Sequence, residues 1–434
     1  MDHFEQMLEK YAELVIKVGV NIQPGQVLLV QSPLETVDFT RQIVSKAYEA
    51  GAKYVQVDWD DEKVTRIRYE QAPEDSFAYY PKWQADMMEQ LAEGGGAVLH
   101  IKVPDPELFR GIDSAKVSTA VKAAAVAREK YQAYVRSNKV SWSLIKAPTR
   151  AWANKVYADL PEEERVPAMW EAVFRMNRVD SGDPVEAWRD HIAELKKRQQ
   201  YMNDKRYKSL HYRAPGTDLR VEMPEGHLWL GGGDLKEDGV YFVANMPTEE
   251  IYTMPLRTGV HGTVSSTLPL NLNGRLVEGI KLTFKDGKVT EYDAVSGREH
   301  LTSLLETDEG ASYLGEMALV PHDSPISLMN RVFYNTGVDE NASCHFALGS
   351  CYPVNIEGGT KLSKEELLAK GGNVSLTHVD FMIGSDQLDI DGELPDGTVE
   401  PVFRAGKQPF AVPTADSSRA APALQPVPPQ PRSM

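Results

Sequence analysis

Cysteine is almost missing from this sequence, with Cys344 and Cys351 the only two among 434 residues. Two thiols are too few for a disulfide framework, and they fit a reducing compartment. A basic excess is missing as well. Lys plus Arg number 47 against 63 for Asp plus Glu, a formal charge of -16, which argues against a phosphate backbone as partner. No apolar run approaches the length that crosses a bilayer. The opening stretch "MDHFEQMLEKYAELVIKVGV" carries acids where a signal peptide needs a basic region and an unbroken apolar core. The expectation is a cytoplasmic protein with no nucleic-acid and no membrane partner.

Several catalytic signatures are also lacking. The chain has no Gly-x-Ser-x-Gly elbow for serine chemistry. The glycine runs Gly94 to Gly96 and Gly231 to Gly233 are not followed by Lys-Ser or Lys-Thr and do not have the dinucleotide-binding order, so they read as turns. Cys344 stands beside His345, but neighbours on a strand face opposite ways, which disfavours a thiol nucleophile.

What is present is an ordinary globular composition, 42% hydrophobic and 25% charged, in a chain long enough for two or three domains. The opening stretch reads as an amphipathic helix with Phe4, Met7, Leu8, Tyr11, Leu14 and Val15 on one stripe. Short apolar runs at 26–31, 53–59, 97–103 and 140–146 alternate with helical stretches, the rhythm of an α/β layer with a mostly parallel sheet. A charged helix from Pro184 to about Tyr201 looks like a connector, and after it the runs become short, strand-like and punctuated by glycine or proline. The expected organisation is an N-terminal α/β domain over 1–207, a β-rich α+β catalytic domain over 208–410, and a disordered Pro-rich tail over 411–434.

Candidate chemistry gathers in the second domain. In "SLTHVDFMIG" (375–384), His378 and Asp380 alternate with Val379 and Phe381, so a strand would aim the imidazole and the carboxylate to one side. An edge strand with a solvated polar face would give the same alternation. Three further segments place ligand-capable residues in apolar or turn settings: Glu250 in "NMPTEEIYTMP", Glu316 in "LGEMALV" and His345 in "DENASCHFALGSCYP". Taken singly, these residues suit a helix cap, a turn carboxylate and a satisfied core histidine. Taken together, two histidines, two glutamates and an aspartate suit hard-to-borderline divalent metals, and exceed what one catalytic zinc needs. Two metals are the economical explanation.

These segments, with "GTVSSTLPL" between the first two, resemble in order and separation the thermophilic-type aminopeptidases of metallopeptidase family M29. The resemblance runs from the N-terminal helix to about Phe403. It implies that Glu250, Glu316, His345, His378 and Asp380 hold the metal and that Tyr352 is the active-site tyrosine. It further implies a dinuclear metal-dependent aminopeptidase that releases N-terminal residues from peptides with a free amine, by attack of a metal-activated water. Broad specificity with an apolar preference, a homodimer, and zinc or cobalt as the two ions, with magnesium or manganese as alternatives, belong to the same expectation. Glu316 or Glu250 would bridge the ions or take the water's proton, and Tyr352 would hydrogen-bond the oxyanion. A dinuclear phosphoesterase and a non-catalytic metal- or ligand-binding α/β protein are the rivals. The first is disfavoured by the want of an arginine cluster.

Overall fold

Strand-forming residues open the first sheet at Val27–Pro33, where Leu28, Leu29 and Val30 are all buried, the continuous apolar run expected of a strand covered on both faces. A computed structural model describes residues 2–103, 105, 107–272 and 274–408. Val27–Pro33 pairs in parallel with Tyr54–Asp60 on one side and Ala97–Ile101 on the other, and Ala97–Ile101 pairs in parallel with Ser141–Ile145. Helices such as Val37–Glu49, which buries Phe39, Thr40, Ile43 and Ala47 at helical spacing, make the crossovers.

Asp2 and Glu5 form a capping box that starts the helix His3–Leu14. Met7, Leu8, Tyr11, Leu14 and Val15 of its stripe are buried, and Tyr11 stacks on Phe39 at 5.0 Å. Phe4 lies on the same stripe. It remains 41% exposed, although its ring meets those of Trp170 at 5.7 Å and Phe174 at 6.0 Å.

The chain divides into two compact units, one formed by residues up to 190 with 233–247, the other by 191–232 with 248–408. The helix Pro184–Lys205 continues beyond the expected end near Tyr201. Its Leu195 and Met202 enter the apolar core of the second unit, which holds the last turns in place.

The second unit is strand-rich. One antiparallel sheet of seven strands has Thr217–Glu222 and Ser209–Ala214 near its middle. A second antiparallel sheet runs His378–Met382, His345–Gly349, Leu314–Leu319, Ile251–Thr253, Leu230–Gly231. Met317, Phe346 and Phe381 are cross-strand partners and share a core with Tyr212, Leu219 and Leu282 of the seven-stranded sheet, Tyr212 meeting Phe346 edge-on at 5.0 Å. Because side chains alternate along a strand, the residues one position before each of these three point the other way. That opposite row is occupied by Glu316 and Asp380, on either side of the His345–Gly349 strand.

Candidate metal centre

Packing of the apolar row thus fixes the polar one. Glu316 is the partner of Ala347, and Ala347 the partner of Asp380. A methyl between two carboxylates leaves open volume above the sheet, and a register slip of one residue would bury both acids in the core. Gly315 is required for the same geometry. A Cβ there would lie 2.3 Å from the Gly349 carbonyl oxygen and 2.4 Å from that of Ser350, and the ladder shifts register at this point. The glycine that made Glu316 conspicuous in the sequence is what lets the turn at 349–350 close against it.

The five candidate ligands fall into two overlapping groups. Glu250, Glu316 and His345 bring ligand atoms within 4.8 Å of one another, and so do Glu316, His378 and Asp380. His345 Nε2 lies 3.0 Å from Glu250 Oε2 and 3.6 Å from Glu316 Oε1. His378 Nε2 lies 3.3 Å from Glu316 Oε2 and 3.4 Å from Asp380 Oδ1. Glu316 therefore stands between the groups and gives one oxygen to each.

Both histidines are oriented from behind. His345 Nδ1 is 3.0 Å from the Ser343 carbonyl and His378 Nδ1 is 2.7 Å from the Ser350 carbonyl. An Nδ1–H donated to a carbonyl leaves Nε2 free to present its lone pair, the tautomer that metal-ligating histidines use. Of the adjacent glutamates, Glu249 turns to His191, 3.7 Å away, while Glu250 turns to His345. The backbone entering this pair is held by Asn341, whose Oδ1 accepts the Glu249 N–H at 2.8 Å.

Electrostatics sharpen the picture. Burial by itself would raise the Glu316 carboxyl, but the two imidazoles outweigh it and hold it at about 2. Glu250 is pushed up, first by burial and then by the negative neighbours Glu316 and Asp380, with His345 opposing. Burial works against charge on His345 and His378, yet the surrounding carboxylates hold both well above the ordinary 6.5. Three carboxylates crowded round two imidazoles at this depth need positive charge among them, as protons or as a cation. Buried nitrogen and carboxylate donors with their outer contacts made fit a divalent metal ion.

The comparisons with known proteins agree. The model of the thermophilic metalloprotease family M29 matches residues 4–408. This chain belongs to the M29 family. Aminopeptidase 2 of Geobacillus stearothermophilus is 52% identical over 410 residues, covering 94% of this chain and 99% of that one. Aminopeptidase T of Thermus thermophilus is 42% identical over 407 residues, covering 94% and 99%. The solved structure of wild-type AmpT from Thermus thermophilus matches with a TM-score of 0.89 and 41% identity, over 94% of this chain and all of that one. As an M29 member the chain is a metalloaminopeptidase, a hydrolase that depends on divalent metal.

Two more side chains bear on this cluster, Tyr352 by ring contact and Glu340 by its charge. The Tyr352 ring is 4.7 Å from that of His378 and 6.0 Å from that of Tyr252. Although Tyr352 is 45% exposed, the protein around it and then the carboxylates Glu316 and Asp380 push its phenol above the ordinary range, so it stays protonated and able to donate. Glu340, on the short turn Glu340–Ala342, is the residue that sequence reasoning passed over. Its carboxyl is driven well above the carboxylate range by burial and by Asp380 and Glu250. The only hint was its place five residues before His345 in a segment already under scrutiny. The Cys344 thiol, by contrast, donates to the Val320 carbonyl and is pushed up to about 11 by burial, which leaves no nucleophile there.

Proposed function

We propose that this metalloaminopeptidase works with two divalent ions, one held by Glu250, Glu316 and His345 and the other by Glu316, His378 and Asp380. The observation that carries this reading is Glu316, whose two oxygens face different histidines in two overlapping donor groups. When bound, such ions polarise the scissile carbonyl and lower the pKa of a water so that it attacks at neutral pH. Glu316, with one oxygen toward each histidine, would hold both ions and would then not be free to accept a proton. Glu340 belongs to neither group, and burial with the charges of Asp380 and Glu250 keeps its carboxyl protonated in the metal-free protein; the positive charge of bound ions would free that carboxylate to take the proton of the attacking water and return it to the departing amine. Tyr352 donates to the oxyanion.

The substrate is a peptide with a free N-terminal amine, cut with broad specificity and an apolar leaning, in keeping with relatives named as aminopeptidases. Residues 208–410 act as the catalytic domain after an N-terminal domain of 1–207 in this reading, and 411–434 lie outside the described residues. A homodimer in the cytoplasm completes it. No helix among the described residues is long and apolar enough to cross a membrane.

The test is hydrolysis of leucine para-nitroanilide before and after chelation, with metal analysis of the same sample. Activity should vanish on chelation, return with zinc or cobalt, and be undetectable on the N-acetylated substrate. Efficient cleavage of the blocked substrate would make the protein an endopeptidase or amidase instead.

A further inference from the structure

Asn373 lies outside every motif that drew attention in the sequence, yet it is fully buried beneath the turn that carries Tyr352. Its Nδ2 donates to two carbonyls, Gly310 at 2.8 Å and Gly349 at 2.6 Å, and its Oδ1 accepts from Arg257 Nε at 3.1 Å. Its own backbone carbonyl accepts the Cys351 N–H at 2.9 Å. One residue thus grips the turn at Gly349 and again at Cys351, on both sides of Ser350.

Ser350 is the residue whose carbonyl receives His378 Nδ1–H at 2.7 Å. The turn has little latitude. Gly349 N–H donates to Tyr313, Ser350 N–H donates to Thr377, and Gly349 adopts φ 111°, where a Cβ would come 2.1 Å from the Thr377 oxygen. With those amides committed, the direction of the Ser350 carbonyl follows from where the peptides on either side are held. Asn373 holds both.

We propose that Asn373 is a positioning residue: it fixes the Gly349 to Tyr352 turn so that the Ser350 carbonyl sets the tautomer and aim of His378 and Tyr352 is presented to the same volume. The inference rests on the reading of His378 as a ligand and Tyr352 as an oxyanion donor. A buried amide with two carbonyls on one NH₂ group is poorly replaced, because the acceptors left unpaired would be peptide carbonyls, that of Gly349 in the turn itself.

Asn373→Asp keeps the volume and the acceptor that Arg257 uses while removing both donors. In the full chain, cobalt affinity followed by the visible absorption of the bound ion should fall about 10- to 100-fold, as for other losses of an outer partner to a metal-bound histidine. At saturating cobalt, kcat should fall with KM nearly unchanged. Arg257→Met, which leaves both carbonyl bonds of Asn373 intact, should keep native cobalt affinity and kcat. Should Asn373→Asp fail to fold, Asn373→Ser removes the same two bonds without placing an oxygen against the carbonyls, and is measured in the same way. A folded Asn373 variant with native cobalt affinity and kcat, or with only a lowered Tm, overturns the proposal. So does an Arg257→Met chain as impaired as the Asn373 variants. Failure of the underlying reading looks different: His378→Ala would bind cobalt normally and Tyr352→Phe would turn over normally.

Discussion

The two halves of the centre share Glu316 but differ in depth. His345 is 1% exposed with Glu250 at 12%, whereas His378 is 21% exposed with Asp380 at 16%. Only the second half has the Tyr352 ring beside its histidine, and Tyr352 itself is 45% exposed. The difference follows from position in the sheet. His345 opens an interior strand and is covered by the chain from Ser343, while His378 opens the edge strand of the sheet, where only one neighbour covers it. On this account the inner half anchors an ion, and the outer half is where water and substrate arrive.

The largest effect that sharpens this contrast comes from the shared carboxylate. Glu316→Gln should abolish turnover and weaken both ions, because it removes a charged donor from each group. His345→Ala and His378→Ala should also abolish turnover, but each should leave the ion of the other half measurable by metal analysis. His300→Ala, on the helix Arg298–Leu305, should leave activity and metal content as they are. Equal loss of both ions from each of the first two histidine variants would erase the distinction between the halves.

Next in size is chemistry from side chains outside both donor groups. Tyr352→Phe should lower kcat by about 100-fold, in line with removal of an oxyanion donor, with metal content and KM nearly unchanged. Glu340→Gln should lower kcat to a similar degree and keep both ions. Loss of an ion from the Glu340 variant would make Glu340 a ligand and not the proton acceptor.

A smaller, graded effect is expected with pH. His345 and His378 sit well above 6.5 in the metal-free protein, so their contribution to its stability is present below 6.5 and lost as pH rises through the folded values. Glu316 has the opposite sign, contributing above 4.5 and losing that contribution as pH falls towards about 2. Metal must displace the histidine protons. Affinity should therefore rise between pH 6 and pH 8, and calorimetry in buffers of different ionisation heat should register proton release on binding. Binding with no proton release would contradict the raised histidines.

The same contrast separates what could be read in the sequence from what could not. The shared face of His378 and Asp380 was legible because strand alternation is a local rule, and the structure places both in the strand His378–Met382. The parallel sheet was legible from runs such as Leu28 to Val30, whose burial on both faces leaves an unbroken apolar signature. Glu340 and Asn373 were not. Their partners lie far away in sequence, Asp380 and Glu250 for the first and Gly310 for the second, and no local pattern records such contacts. Phe4 lies on the expected stripe and packs with Tyr11 against Phe174, but its 41% exposure was not legible, for a related reason. Helical spacing tells which residues share a stripe, but where the neighbouring layer ends is set by the tertiary fold.

The central claim is that two unequal metal sites share Glu316. The most direct measurement is a cobalt titration of the metal-free protein, with absorption and leucine para-nitroanilide hydrolysis followed on the same sample. The expected result is two ions per chain, bound in two resolved steps, with His378→Ala losing only the weaker step and activity appearing mainly as that step fills. A single ion per chain that restores full activity would contradict the account.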